Sequence, residues 1–209
     1  MRLLGYGEDA LTLWALQNSL GQIIAADDDL SNVQDVFFRP SFGRRSIGSA
    51  TQQTPGPQFG EFDAIIVSAK RVYLVEAKWT NSGEIGDEGV LLRAEQTRRH
   101  RILREYLRCW RGCSPSDWPS FLQSNPQITW KGDDGDDQAF AVAPARSRLA
   151  DNLTFVLAAC ARGGNDVEDV LLIIHPAGQT MSLKSVQGFR CVEVTSPPMD
   201  KNFVVLGAA

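Results

Sequence analysis

Two apolar stretches separated by only two residues, 61–68 (Glu-Phe-Asp-Ala-Ile-Ile-Val-Ser) and 71–79 (Arg-Val-Tyr-Leu-Val-Glu-Ala-Lys-Trp), constrain this chain more than any other feature. Runs rich in β-branched and aromatic residues that lie this close predict a β-hairpin. Ala69-Lys70 is not a favoured turn pair, which leaves the loop type open. Side chains alternate along a strand. Glu76 and Lys78 therefore share a face with Val72 and Leu74, and Asp63 shares one with Glu61, Ile65 and Val67. A two-residue turn sets Ser68 opposite Arg71, Asp63 opposite Glu76 and Glu61 opposite Lys78. A four-residue turn gives the same register, whereas a three-residue turn or a bulge does not.

In that register the carboxylates of Asp63 and Glu76 face each other across ~4.5–5.5 Å. Like charges at that separation repel, so something must offset them. A divalent cation does so directly, and Mg²⁺ suits a few carboxylate oxygens completed by water. Protonation of one acid is the alternative. Lys78, next to Glu76 on the same face, adds an ammonium that can hold a phosphate oxygen and position an attacking water. A cation, two acids and an amine are the parts that phosphodiester hydrolysis needs.

Gly60-Glu61-Phe62-Asp63 followed by Val75-Glu76-Ala77-Lys78 resembles the PD-(D/E)xK phosphodiesterase superfamily. It is similar in particular to the branch that includes archaeal Holliday-junction resolvases. The likeness spans roughly residues 8–106, half of the chain. It implies that Asp63 and Glu76 are metal ligands, that Ala77 offers its backbone carbonyl, and that Lys78 is the catalytic lysine. Members carry a Glu in the first helix that contributes to the metal site. Glu8 matches that place best, with Asp9 as its rival. Some members set a Gln of the following helix beside the metal, which points to Gln96. Phe62 stands where the superfamily name has Pro. The implied cofactor is Mg²⁺ or Mn²⁺, and the implied fold is a restriction-endonuclease-like αβββαβ core.

The surrounding pattern agrees with an α/β or α+β architecture, a mixed central β-sheet flanked by helices. Residues 8–20 read as a largely apolar helix with two acids at its start and Gly21 as its C-terminal cap. Residues 33–38 read as a strand ended by Pro40, and 41–60 as a long Ser/Thr/Gln/Gly/Pro loop. Residues 81–89 read as a polar loop, 90–111 as a long helix and 115–135 as irregular. A short strand is expected at 140–143, and a helix capped by Ser147 runs to about 161. Residues 170–175 form a continuous apolar run typical of a central strand, and 189–195 and 203–206 are further strands. One domain over 1–209 is expected, with its core in about 5–111 and 167–207 and an insertion or peripheral region at 112–166.

The helix at 90–111 holds seven arginines, Arg93, Arg98, Arg99, Arg101, Arg104, Arg108 and Arg111, which is a third of the chain's 21 Lys and Arg. Its core stripe is Leu92, Leu103, Tyr106, Leu107 and Trp110, which Gln96 and Arg99 extend toward the end near Lys78. Arg98, Arg99 and Arg101, together with Arg44 and Arg45 in the long loop, are candidate phosphate contacts. The plainer reading is a solvated face balanced by Glu95 and Glu105. A net charge of -4 argues against coating nucleic acid by bulk attraction but allows a local basic footprint.

Apolar residues make up 43%, enough for a core, so intrinsic disorder is set aside. The four cysteines lack zinc-like spacing and read as reduced thiols. No signal peptide or ~20-residue apolar span is evident, so a cytoplasmic protein with no membrane partner is expected. A Walker loop and a Gly-x-Ser-x-Gly elbow are both missing. The leading expectation is a DNA endonuclease, with RNA as another substrate. The alternative is a nucleic-acid- or protein-binding module without turnover. A homodimer is suggested only by analogy with enzymes that cut both strands.

Overall fold

The computed structural model describes residues 2–42, 60–80, 85–86, 89–90, 92–131, 136–179, 186 and 188–208. The chain opens with β1 (Arg2–Tyr6), α1 (Gly7–Asn18), α2 (Leu20–Ile23) and β2 (Val33–Phe38). The expected hairpin follows as β3 (Ala64–Ser68) and β4 (Arg71–Trp79), then a small pair, β5 (Ile85–Gly86) and β6 (Gly89–Val90). Next come α3 (Ala94–Cys113), α4 (Trp118–Ser124), β7 (Gln127–Lys131), β8 (Asp137–Ala141) and α5 (Arg148–Arg162). The last elements are β9 (Asp166–His175), β10 (Arg190–Thr195) and β11 (Phe203–Ala208).

The fold is mixed α/β, with a five-stranded mixed sheet in the order β10-β9-β4-β3-β2. Strands β2, β3 and β4 run antiparallel, and β9 and β10 join β4 in parallel. Strands β3 and β4 pair Ala64 with Val75, Ile65 with Leu74, Ile66 with Tyr73 and Val67 with Val72, the register of a two-residue turn. Both faces of the hairpin are buried. Ile65, Val67, Val72 and Leu74 belong to one core cluster with side chains of α3 and α5. Ala64, Ile66, Tyr73, Val75 and Ala77 belong to a second with those of α1 and β11. Each such Ile, Leu or Val contributes ~1.5–3 kcal/mol through burial. Strand β9 lies between two parallel neighbours, which is why its 170–174 run is apolar throughout.

Several boundaries differ from the sequence expectation. Helix α1 stops at Asn18, and Gly21, expected as its cap, lies inside the short α2. Helix α3 begins at Ala94, because the Gln96 side-chain oxygen accepts the Arg93 backbone N–H at 2.7 Å and caps the helix there; Val90 lies in β6. The stretch expected to be irregular contains α4, started by Asp117, whose side chain accepts the Ser120 N–H, and by Pro119 in the first turn. Trp118 and Phe121 of α4 and Leu153 and Leu157 of α5 join the core under α3. Gly164 meets the β3–β4 turn so closely that a Cβ there would overlap the Lys70 carbonyl at 1.6 Å. No helix among the described residues is long and apolar enough to cross a membrane.

Asp28 ties the turn of the hairpin to the loop before β2. Its carboxylate accepts the Ser68 and Tyr73 hydroxyls, the Asn32 side chain and the Asp29 N–H. The Ser68 hydroxyl in turn accepts the Lys70 and Arg71 N–H groups. Burial works against the Asp28 charge, but the bonds from Ser68, Tyr73, Asp29 and Asn32 outweigh it and hold the pKa at about 2. Asp28→Ala strips the acceptor from two fully buried hydroxyls. The expected cost is about 2–4 kcal/mol in urea unfolding, and a loss below 0.5 kcal/mol would show the network to be incidental. The depressed folded pKa makes Asp28's contribution complete above about pH 4 and lost as pH falls toward 2. The variant therefore loses less stability than the parent across that window.

Candidate active site

Strand pairing ends at Ala64–Val75, and just past it the Asp63 carboxylate accepts the Ala77 N–H at 2.7 Å. A strand residue's N–H and C=O face the same neighbour, so the Ala77 carbonyl is also turned toward the Asp63 side. Glu76, the residue of β4 just past the last pair, is 1% exposed. Lys78, two residues along the same face and 3% exposed, donates to a Glu76 oxygen at 3.2 Å. The β3–β4 pairing stops short of Glu61 and Lys78, which a continued register would set opposite each other. The chain before β3 bends to bridge Ser41, and the Glu61 carboxylate takes Arg39 at 2.7 Å.

Helix α3 lays Gln96 and Arg99 over the same carboxylate. The Gln96 side-chain amide donates to one Glu76 oxygen, and the Arg99 guanidinium donates to the other. Gln96 thus caps the helix with its oxygen and holds Glu76 with its nitrogen, a pair of tasks that needs an amide. Three donors keep the buried Glu76 charge compensated.

Asp63 is less well served. Burial first, then the Glu76 carboxylate, push its pKa up to about 7, while the Ala77 N–H and the Arg99 charge pull it down. Glu8, half-buried in the first turn of α1, adds a further upward push. Its rival Asp9 is exposed and ion-paired with Arg39. Among the described residues no group of three or more His, Cys, Asp and Glu side chains stands together as a metal cage, so Glu8 does not close a trio with Asp63 and Glu76.

The donor chemistry nevertheless suits a hard divalent cation. Two carboxyl groups lie near each other, and burial first, then the charge of Glu76, holds Asp63 against ionisation. Mg²⁺ needs only one or two carboxylates, with water and substrate oxygens for the remainder.

The basic helix is spent largely on internal contacts. Arg99 serves Glu76, Arg104 serves Asp169, Arg108 serves Glu105, and Arg111 donates to the carbonyls of Cys160, Gly164 and Asn165. Arg98 is half-buried and Arg101 exposed, and helical periodicity sets both on other sides of α3 from Gln96. Arg44 and Arg45 lie outside the described residues.

Sequence reasoning missed one buried cluster beside the site. The His100 ring, 1% exposed and flanked by Phe62 and Phe189, bonds Asp169 of β9 at 2.9 Å. The only available signal was an acid directly before an apolar run.

No protein-family model matches the chain, and no curated protein matches it in sequence.

Proposed function

We propose that the chain is a divalent-metal-dependent phosphodiesterase of the PD-(D/E)xK type that cleaves DNA. The single observation that supports this reading is the nearness of Asp63, Glu76 and Lys78 at one end of the hairpin: Asp63 accepts the Ala77 N–H, Lys78 donates to Glu76, and the Glu76 charge acts on Asp63. The order α1, β2, β3, β4, α3, β9, with β9 parallel to β4, fits the αβββαβ core of restriction-endonuclease-like proteins. In this reading Asp63, Glu76 and the Ala77 carbonyl hold Mg²⁺ or Mn²⁺, with Glu8 near enough to act through its charge. The cation's contribution, when bound, is to lower the pKa of water and to stabilise charge developing on phosphorus. Lys78 holds a phosphate oxygen and orients the attacking water. Gln96 fixes the Glu76 carboxylate so that its free lone pairs stay turned to the same spot.

One observation favours a second reading, a binding module without turnover: Arg99 already neutralises Glu76. Incubation with supercoiled plasmid, linear duplex DNA and single-stranded RNA separates the two. Nicking or cleavage of DNA is expected with millimolar Mg²⁺ or Mn²⁺ and none with EDTA. Nucleic-acid binding with no turnover under any metal would leave only the module, and preferential cleavage of RNA would redirect the substrate.

A further inference from the structure

Glu76 is already met by two cations before any metal is considered. Lys78 pairs with one of its oxygens and Arg99 with the other, beside the carboxyl groups of Asp63 and, through its charge, Glu8. Adding a divalent cation to that group leaves an excess of positive charge in a poorly solvated place, which favours the departure of one side chain.

The two are not equally held. Lys78 is 3% exposed on the central strand β4, with its stem inside the sheet–helix layer. Arg99 reaches Glu76 from α3, its side chain is 13% exposed, and its guanidinium rests 5.7 Å from the centre of the Phe62 ring. Among the described residues its buried Nε has no hydrogen-bond partner, so the pose leaves one of its donors unused. Gly60 makes room for it, since a Cβ there would stand 2.9 Å from an Arg99 terminal nitrogen.

We propose that Arg99 is a displaceable counter-ion: it occupies the cation's place against Glu76 in the metal-free protein, leaves when the metal is loaded, and then binds the phosphate diester. This rests on the metal-dependent reading above. The displaced guanidinium stays tethered to α3 within a side-chain length of the acids. A planar fork with five N–H donors matches two phosphate oxygens, and the unused Nε–H gains an acceptor in that state. The same residue thus closes the empty site against adventitious cations and helps grip the substrate in the loaded one.

The test is Mn²⁺ binding to the full chain by isothermal titration calorimetry, for the parent, Arg99→Ala and Arg99→Gln. Gln keeps a donor to Glu76 without the charge, which covers the case in which Ala at this position fails to fold. Thermal unfolding of each variant establishes that it is folded. The expected result is Mn²⁺ binding at least tenfold tighter in the variants, with DNA turnover at saturating Mn²⁺ at least tenfold slower. Equal Mn²⁺ affinity in parent and variants overturns the counter-ion role while the metal site stands. Tighter Mn²⁺ binding with undiminished turnover overturns the phosphate role. Absence of Mn²⁺ binding in every form overturns the proposal by removing the metal reading beneath it.

Discussion

At pH 8 and without divalent metal, Asp63→Asn is expected to be more stable than the parent by about 2–4 kcal/mol. The cause is burial of the Asp63 carboxyl and then the nearby Glu76 charge, which raise its pKa from 3.8 to about 7. A carboxyl whose folded pKa is raised binds its proton more tightly in the folded state. Its presence costs nothing below pH ~4, and stability is then lost steadily as pH rises toward 7. A rise from 3.8 to about 7 corresponds to ~4 kcal/mol at most, and partial exposure screens some of it. Asn removes the charge but keeps an oxygen to accept the Ala77 N–H. Urea titrations from pH 4 to pH 8 should show the two proteins converging at low pH and separating as pH rises. Millimolar Mg²⁺ should then narrow or reverse the gap, because only the parent gains by binding it. Equal stability at all pH values would mean that the two acids do not oppose each other, and the case for a cation between them would lose its physical basis.

The residues behind that prediction were legible because strand geometry is local arithmetic. A side-chain period of two sets Lys78 beside Glu76, and a gap of two residues gives the Ala64–Val75 register that leaves Asp63 and Glu76 just past its end. Gln96 was reached through the family resemblance, which sets a Gln of the following helix beside the metal. What could not be read is how α3 sits across the sheet. The core stripe set Arg99 toward Lys78, but only the docking of α3 gives Arg99 to Glu76 and Arg104 to Asp169. The Asp28 network escaped for the same reason: it joins residues 40 and 45 positions apart, and nothing local marks Asp28 from its neighbours Asp27 and Asp29. Helix α4 was missed because seven residues with a proline carry too little periodicity to signal a helix.

The largest effect on turnover is expected from Lys78→Met. Lys78 is buried against Glu76, so its ammonium has little freedom and, in the phosphodiesterase proposed above, would be oriented before substrate arrives. A fixed positive charge aimed where negative charge grows is worth most in the transition state, and removing one such donor commonly costs ~10²–10³ in rate. Met keeps the apolar stem and its packing while deleting the charge. Breaking a buried pair ordinarily costs ~3–5 kcal/mol. Here Arg99 and Gln96 still hold Glu76, so the loss of stability should fall at or below the low end of that range. The expected signature is a kcat at least 100-fold lower, with DNA affinity changed little and Mn²⁺ affinity equal or higher. Lys78→Arg should not restore the rate, because a planar fork does not fit a site shaped around a compact ammonium. Turnover within threefold of the parent in a folded Lys78→Met protein would remove the lysine from the chemistry. Its burial beside Glu76 would then be a structural ion pair and nothing more.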